Sequence, residues 1–300
     1  MPVDKMHANE ATIDTALVER LVREQFPQWA GLPLSRVPSA GTDNALFRLG
    51  PELAVRLPRI PGSTGQAQRE AHWLPRLAPQ LPLAIPTPLE VGEPGEGYPW
   101  HWSVCRWLDG ETLTDTRFAD PTAAATALAG FITALRRIDP TDAPAAGRGR
   151  PLPRRDPPTR EALAALRERL PQDDLDTLTE VWANALHAPA WQKPPVWLHG
   201  DLLPGNLLAQ QGRLSAVIDF GALGTGDPAV DMLPAWALFS GESRSAFRDA
   251  VDADEATWTR GRGWALSIAL IIMPYYWNTN PVLMATARRI IREVLAEQRR

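Results

Sequence analysis

The feature that most constrains this chain of 300 residues is a polar segment set between short apolar runs near residue 200. It reads His199-Gly200-Asp201, places Asn206 five residues after the aspartate, and is followed by the triplet Asp219-Phe220-Gly221. The apolar flanks predict short buried strands, with the polar side chains at the strand ends. The pattern therefore predicts a rigid constellation of two carboxylates and one amide.

These three groups are the ones that phosphoryl transfer requires. The protein must place an acceptor hydroxyl in line with the γ-phosphorus and hold the metal-bound nucleotide, while doing little covalent work itself. Mg²⁺ prefers oxygen ligands in a nearly octahedral shell. We expect Asp201 to orient the hydroxyl and accept its proton, and Asn206 and Asp219 to hold Mg²⁺.

The longer combination of motifs carries a family resemblance. Together with Gly226-Asp227-Pro228-Ala229-Val230-Asp231, the motifs above resemble those of the aminoglycoside phosphotransferase family, kinase-like enzymes that phosphorylate hydroxyls of small molecules. Protein kinases of the eukaryotic type usually carry His-Arg-Asp where this chain has His-Gly-Asp, which favours the small-molecule branch. The specific part of the resemblance lies between His199 and Asp231, and a weaker part extends over nearly the whole chain.

The resemblance implies an α+β, two-lobed, protein-kinase-like fold. We expect a small lobe with an antiparallel β-sheet that binds the nucleotide over residues 1–108, and a larger, mostly helical lobe for catalysis and acceptor binding over 109–300. His199 is expected to organise the catalytic loop through a backbone hydrogen bond. Asp227 and Asp231 are expected to hold that loop in place.

Local patterns predict the elements of both lobes. The small lobe is predicted to contain helices near 11–26 and 65–77, and strands near 46–49, 53–57, 89–91 and 100–107. The larger lobe is predicted to contain helices near 121–138, 159–169, 173–187, 228–239, 243–251, 254–273 and 282–299. An aromatic and amide-rich segment, Met273 to Pro281, interrupts the last two; it is equally consistent with a sugar-like acceptor site and with a packed corner.

The predicted phosphate-binding pair departs from the kinase pattern. Kinases use a lysine on the third strand and a glutamate on the following helix. The only lysines here are Lys5 and Lys193, so 31 − 2 = 29 of the basic residues are arginines. Arg56 is therefore the candidate for the lysine's role and Glu70 for its partner, although a guanidinium is not equivalent to an ammonium group.

Two further segments are predicted to contact the nucleotide. The first, Ser39 to Asn44, precedes the early strands but holds a single glycine; Thr42 and Asn44 are its candidate phosphate contacts, against the alternative of an ordinary hairpin turn. The second is the connector between the lobes, where backbone groups from Arg106 to Leu108 are expected to bind adenine by analogy with kinases. Cys105 just before it is expected to be a small buried residue.

Residues 141–158 form a loop rich in proline, glycine and arginine. It contains Arg148, Arg150, Arg154 and Arg155. A charge run of this kind is typically solvated and mobile; the alternative is that it folds over the acceptor.

Composition and net charge limit the classes of binding partner and the compartment expected for this protein. The formal net charge is −4 and no basic face is apparent, so nucleic acid is not expected. A single cysteine excludes an internal disulfide, and neither a signal-peptide core nor a run of about 20 apolar residues is present, so a cytoplasmic protein without membrane insertion is expected. We expect ATP as donor, with GTP as the alternative, and Mg²⁺ as the metal. The sequence does not separate monomer from dimer, or antibiotic resistance from metabolism.

The sequence is consistent with several small hydroxyl compounds as the phosphate acceptor. An aminoglycoside-like antibiotic is favoured, but charge supports it only weakly: nine acidic and four basic residues lie between 200 and 260, and four of the acidic ones already have roles at the active centre. A macrolide, an amino alcohol such as choline, homoserine or a sugar are the alternatives. A nucleotide-binding module without transferase activity is a rival of another class. A protein kinase is disfavoured, because Gly226-Asp227-Pro228 follows the Asp219 triplet with no Ala-Pro-Glu between them.

Overall fold

The computed structural model describes residues 10–38, 43–61, 65–114 and 117–299. The chain divides into two compact units, one formed by Met1–Pro79 with Ala84–Asp109 and the other by Gln80–Leu83 with Gly110–Arg300. The first unit contains an antiparallel sheet and the second is mostly helical. The predicted fold class is thereby confirmed, whereas the assignment of nucleotide binding to residues 1–108 and catalysis to 109–300 stays a prediction.

A five-stranded antiparallel sheet forms the first unit. Its strand order is β1-β2-β3-β5-β4. Side chains of β2 alternate between buried and half-buried positions, which the alternating sequence explains because successive side chains point to opposite faces. The strands are β1 (Leu34–Val37), β2 (Asn44–Leu49), β3 (Leu53–Pro58), β4 (Pro88–Gly92) and β5 (Trp102–Arg106).

Two helices accompany this sheet. Helix α1 (Thr15–Gln25) begins where the Asp14 carboxylate accepts the Leu17 amide at 2.8 Å, and it ends before Pro27. Its buried residues, including Leu17 and Leu21, pack with the sheet in one hydrophobic cluster. Helix α2 (Gln66–Leu77) buries Glu70 on the same face as Leu74 and Leu77, at the spacing of i, i+4 and i+7. That spacing turns the Glu70 carboxylate inward.

Two small sheets position the polar residues of the second unit. One pairs β7 (Val196–Leu198) with β10 (Gly224–Gly226), antiparallel. The other has the order β6-β8-β9, in which β8 and β9 form a hairpin. Its strands are β6 (Glu111–Thr112), β8 (Leu207–Gln210) and β9 (Arg213–Val217).

Helices make up most of the second unit. They are α3 (Pro121–Arg137), α4 (Asp156–Ala165), α5 (Gln172–His187), α6 (Pro234–Ala237), α7 (Gly241–Val251), α8 (Glu255–Tyr276) and α9 (Pro281–Gln298). Asp120, Asp254 and Asn280 cap α3, α8 and α9 with their side chains. Among the described residues, no helix is long and apolar enough to cross a membrane.

The structure corrects two predicted helices. The single helix expected over 228–239 is instead a short 3₁₀ helix (Pro228–Met232) followed by α6, since Pro234 lacks the amide that a continuous helix needs. Conversely, α8 does not end at residue 273 but continues through Pro274 to Tyr276. Burial of most of α8 explains this, because tertiary packing supplies most helix stability in proteins. The interruption predicted from residue 273 is therefore confined to about four residues.

Candidate active site

The turn after β7 carries Asp201. Gly200 has φ +79°, a left-handed conformation that an L side chain rarely adopts, and a Cβ at this position would come within 3.2 Å of Ala222. The chain therefore turns at the glycine and presents Asp201 next to the end of the strand. The Asp201 side chain is 22% exposed, so a ligand can reach its carboxylate.

Asn206 is tied directly to this aspartate. Its Nδ2 donates to the backbone carbonyl of Asp201 at 2.8 Å and lies 3.3 Å from the carboxylate atom Oδ2. Its own backbone carbonyl accepts the amide of Ile218 at 2.9 Å, which brings the start of β8 beside the end of β9 and the next residue, Asp219. With Nδ2 engaged, the Asn206 amide oxygen is the atom of that side chain that can coordinate a cation.

Asp219 follows β9 in a left-handed conformation. Its φ is +63°, uncommon for a residue with a side chain, and its Oδ1 accepts the Gly221 amide at 3.4 Å. The donor set of Asn206 and Asp219, an amide oxygen and a carboxylate, fits a hard cation such as Mg²⁺. No cluster of three or more His, Cys, Asp or Glu side chains that could hold a metal occurs in the described ranges. Mg²⁺ held here would take its other ligands from phosphates and water, as it does in nucleotide sites.

His199 is fully buried and links three parts of the loop. Its Nε2 lies 3.1 Å from the Ile218 carbonyl, and its Nδ1 accepts the Asp201 amide at 3.2 Å. Because a carbonyl can only accept, Nε2 carries the proton and Nδ1 is the acceptor. The ring also packs edge-on against Phe220 at 4.7 Å. Both ring nitrogens are engaged with the backbone, in keeping with an organising role.

Asp231 holds the backbone of the loop that carries His199, Gly200 and Asp201. Its carboxylate accepts the amides of His199 at 2.9 Å and Gly200 at 2.8 Å, and it is fully buried. Burial raises the pKa of this carboxyl group, while the His199 ring, Arg136 and the two amide hydrogen bonds oppose the rise. Asp231 thus fixes the two residues immediately before Asp201.

Asp227 is held by a buried arginine. Its two carboxylate oxygens accept from Arg260 Nε at 2.7 Å and Nη2 at 3.0 Å, a bidentate pair in which both residues are less than 10% exposed. Arg260 also donates to the Pro189 carbonyl at 2.5 Å, and Asp227 caps the 3₁₀ helix by accepting the Ala229 amide. This pair joins α8 to the turn that follows β10.

In the first unit the structure brings the predicted phosphate pair together. Arg56 Nη1 donates to Glu70 at 2.5 Å, and Glu70 is 1% exposed. Gln66 donates to the same glutamate at 2.7 Å, and Asn44 donates to Gln66 at 3.2 Å. These four residues line one small pocket with Ser103. The segment from Ser39 to Thr42, and with it the predicted contact Thr42, lies outside the described residues.

The predicted adenine-binding connector offers fewer amides than expected. The Arg106 amide donates to the Thr87 carbonyl at 3.0 Å, and the Trp107 amide to the Glu52 carbonyl at 2.7 Å. The amides of Arg106 and Trp107 are therefore engaged within the protein, and the adenine contact of this connector stays a prediction. Cys105 is buried as expected, and burial raises the pKa of its thiol.

The structure pairs part of the loop predicted over residues 141–158 with β10, while most of the loop is exposed as expected. Thr225 of β10 donates to the Pro144 carbonyl at 2.8 Å and accepts the Ala146 amide at 2.9 Å, and Asp227 donates to the Gly149 carbonyl at 2.8 Å. Gly149 has φ +86°, and a Cβ there would come 2.3 Å from the side chain of Leu198. Backbone pairing along β10 and close approach to β7 therefore fix this segment.

The fixed segment brings Arg148 to Asp201, a contact that the sequence did not predict. Arg148 Nη1 donates to the Asp201 carboxylate and lies 3.3 Å from the Gly200 carbonyl. The residues are 53 positions apart, so no local pattern links them. Gly149, directly after Arg148, was the available signal, since it permits the close approach to Leu198 just described.

Arg155, in the same segment, has neutral partners. Its Nε donates to Ser267 on α8 at 3.0 Å, and its guanidinium lies 5.3 Å from the centre of the Trp264 ring. No carboxylate lies within ion-pair distance of Arg155 in the described part of the chain. Burial and the nearby charge of Arg148 lower its pKa to about 10, so it remains a cation at neutral pH.

Two arginine side chains pack against Trp277, which follows α8 in the aromatic segment. The Trp277 ring lies 4.2 Å from the guanidinium of Arg169 and 5.6 Å from that of Arg288. A cavity of about 590 Å³ is lined nearby by Met273, Arg288 and residues of α9, and none of the predicted site residues lines it. Trp277 is therefore packed as a corner residue would be, whereas Tyr275 of the same segment is 61% exposed.

Comparison with known proteins identifies the family. Residues 35–264 match the phosphotransferase enzyme family, abbreviated APH. This chain belongs to that family. The predictions of the family and of a phosphotransferase enzyme are thereby confirmed. No curated protein matches the chain significantly.

Solved structures share the fold at low sequence identity. The chain resembles APH(2")-IIia in complex with GDP and kanamycin, with a TM-score of 0.75, 16% identity, and coverage of 93% of this chain and 98% of that one. For the streptomycin–ATP complex of APH(2")-IIa the TM-score is 0.56, the identity 18% and the coverage 91% of each chain. For the macrolide 2'-phosphotransferase MphH from Brachybacterium faecium the TM-score is 0.59 and the identity 20%, with coverage of 92% of this chain and 98% of that one. These likenesses establish a kinase-like phosphotransferase fold.

Proposed function

We propose that this protein transfers the γ-phosphate of Mg²⁺-bound ATP to a hydroxyl group of a small molecule. The observation that carries the proposal is the hydrogen-bonded group of Asp201, Asn206 and the Ile218–Asp219 strand end, braced by Asp231. In the reaction the acceptor oxygen bonds to the γ-phosphorus as the bond to the β–γ bridging oxygen breaks. The hydroxyl proton passes to Asp201, and ADP leaves.

Each polar residue has one task in this scheme. Asp201 orients the acceptor hydroxyl and takes its proton late, as the charge on the phosphoryl group is dispersed. Asn206 and Asp219 hold Mg²⁺, which neutralises charge on the phosphates. His199, Asp227 and Asp231 keep the backbone of the loop in position and do not touch the reactants.

The first unit is proposed to position the nucleotide. Arg56, whose Nη1 and Nη2 both point to the Glu70 carboxylate, supplies a fixed positive charge for the phosphates. Asn44 lies in the same pocket, and backbone groups near Leu108 are proposed to meet the base. Neighbouring structures are complexes with ATP in one case and GDP in another, so both nucleotides belong in the assay.

The solved neighbours indicate which acceptors to test first. The neighbours bind kanamycin and streptomycin, and others are macrolide enzymes, so aminoglycosides and macrolides are the first compounds to test. Of the five acidic residues that the sequence left without a role, Asp254 caps α8 and Glu255 pairs with Arg248, which weakens the case for a polycation further. The charge beside Asp201 supports a different class of acceptor, which the next subsection argues.

The sequence left a nucleotide-binding module without transferase activity as a rival function, and membership of the phosphotransferase family disfavours it. The substitution of arginine for the kinase lysine motivates it. Against it, a module that only bound nucleotide would need the metal ligands but not an aspartate that a ligand can reach, fixed at the end of β7.

The division of roles is tested by comparing two variants. Asp201→Ala is expected to abolish transfer while leaving nucleotide affinity largely intact, because its carboxylate faces the acceptor. Asp219→Ala is expected to weaken nucleotide binding in the presence of Mg²⁺. Calorimetry with a non-hydrolysable ATP analogue, with and without Mg²⁺, measures both. An equal loss of affinity in the two variants would contradict the scheme.

A further inference from the structure

A positively charged surface that includes Arg148 lies beside Asp201, the proposed catalytic aspartate. Arg148 contacts Asp201 directly, and its side chain is 37% exposed, so it can also meet a ligand. Its place is fixed by the backbone bonds that join residues 144–149 to β10. The contact is therefore part of the fold and not the chance position of a surface side chain.

Arg155 adds a second positive charge to this surface. It is close enough to Arg148 for electrostatic repulsion, and its own partners, Ser267 and the Trp264 ring, are neutral. The Asp201 carboxylate thus contacts the guanidinium of Arg148, and a second cation, Arg155, lies near that arginine.

A partly exposed guanidinium in contact with Asp201 favours an anionic acceptor over a polycationic one. An acceptor hydroxyl must approach the Asp201 carboxylate, the group that Arg148 now contacts. A cation entering there meets like charge, whereas a ligand anion gives Arg148 a replacement partner. Guanidinium groups bind carboxylates and phosphates through paired, charge-assisted hydrogen bonds, which makes them suited to that exchange.

We propose that the acceptor carries a carboxylate or phosphate group near its hydroxyl, and that Arg148 binds this anion as the hydroxyl reaches Asp201. The inference rests on the proposed function and names the substrate class of the same site. Arg155 contributes charge to the surface and stays anchored on α8. Hydroxy acids and hydroxy amino acids are the simplest compounds with this chemistry.

The test uses acceptors matched in all but charge. The purified protein is assayed for Mg²⁺-dependent release of ADP or GDP with three carboxylates, with their neutral counterparts, and with the polycation kanamycin. The pairs are glycerate and glycerol, gluconate and glucitol, and 4-hydroxybutyrate and its amide. We expect kcat/KM for the preferred carboxylate to exceed that of its neutral counterpart by at least about tenfold, the effect of one charge-assisted hydrogen bond.

Variants assign this preference to Arg148. Arg148→Gln is expected to raise KM for the carboxylate, erase the preference over the neutral partner, and leave KM for the nucleotide unchanged. Arg148→Lys should restore part of the preference, because it keeps the charge but not the planar fork. Arg154→Gln, an exposed arginine of the same segment, is the matched control and should behave like the original protein.

Three results would overturn the proposal. They are turnover of kanamycin at least as efficient as that of the carboxylates, equal turnover of carboxylates and neutral partners, and an Arg148→Gln effect confined to the nucleotide. The last would assign Arg148 to the transferring phosphate. If no compound turns over, gluconate, glycerate and kanamycin are titrated by calorimetry onto the complex with Mg²⁺ and a non-hydrolysable nucleotide. Carboxylate binding that Arg148→Gln removes supports the proposal; no carboxylate binding up to about 10 mM, or binding that survives the substitution, overturns it.

The outcomes also separate this inference from the function on which it rests. Kanamycin turnover that disappears in Asp201→Asn would uphold the phosphotransferase mechanism and remove the anionic acceptor. A protein that binds neither ATP nor GTP would remove the mechanism itself.

Discussion

Two arginine–carboxylate pairs in the second unit have the same chemistry and opposite surroundings. Arg260 and Asp227 are both less than 10% exposed, and the guanidinium also donates to a backbone carbonyl. Arg148 and Asp201 are 37% and 22% exposed. A buried pair is expensive to separate, whereas a pair in contact with solvent can exchange partners. We infer that the first pair holds the fold and the second is available to ligands.

The largest effect is expected from breaking the buried pair. Arg260→Met leaves the Asp227 carboxylate buried without its cation, which lowers the free energy of unfolding by about 3–5 kcal/mol. Urea denaturation followed by tryptophan fluorescence measures the change. The control is Arg160→Met, which removes an exposed pair with Asp156 and should cost less than about 1 kcal/mol. Equal losses in the two variants would show that burial does not distinguish such pairs here.

A smaller loss is expected when the support beneath the loop is altered. Asp231→Asn replaces one carboxylate oxygen by an NH₂ group, so one of the amides of His199 and Gly200 faces a donor. The unsatisfied group should cost about 1–3 kcal/mol in unfolding free energy. Because those amides precede Asp201, kcat should fall while nucleotide affinity is kept. A fully active variant with unchanged stability would contradict the role given to Asp231.

The third prediction concerns the cap of α8, the helix that carries Arg260. Asp254→Ala removes the acceptor for the Thr257 amide and should cost about 1 kcal/mol at neutral pH. Hydrogen bonds from Thr257 lower the pKa of Asp254, so the native state binds this proton less tightly than the unfolded state. The contribution is present above the unfolded pKa of about 3.9 and is lost as the pH falls through the lowered native value.

Denaturation at several pH values checks this sign. The stability difference between Asp254→Ala and the original protein should shrink on acidification below pH about 4. Asp254→Asn keeps an acceptor without a titrating charge and is the matched control. A difference that widened in acid would contradict the assignment.

The smallest effect on stability is expected at the exposed pair. Arg148→Gln should change the unfolding free energy by less than about 1 kcal/mol, since exposed ion pairs contribute little. Its effect on acceptor selection should nevertheless be large. Denaturation and steady-state kinetics on the same preparation compare the two. A loss of stability as large as that of Arg260→Met would make Arg148 a structural residue.

The sequence predicted the parts of the site whose causes are local. The spacing from Asp201 to Asn206 and the apolar flanks of Asp219 specify a turn and a hairpin, and the structure has both. The pairing of Arg56 with Glu70 also followed from a strand and the next helix. Their roles as base, metal ligands and phosphate contacts stay predictions.

The remaining features depend on contacts that are distant in sequence. Arg148 reaches Asp201 because residues 144–149 pair with β10, and a charge pattern read along the chain cannot disclose that pairing. The continuation of α8 through Pro274 has a similar origin, since its burial against other helices outweighs the local signal to stop. Local composition therefore predicted neither the pairing of residues 144–149 with β10 nor the last turn of α8.

The central claim is that Asp201 serves transfer to a small-molecule hydroxyl, and one measurement tests it most directly. Purified protein and Asp201→Asn are compared for acceptor-stimulated, Mg²⁺-dependent release of nucleoside diphosphate, with carboxylate, neutral, macrolide and aminoglycoside acceptors. The account predicts stimulation by at least one acceptor that disappears in the variant, while both proteins bind nucleotide equally. Turnover that persists in Asp201→Asn would contradict it.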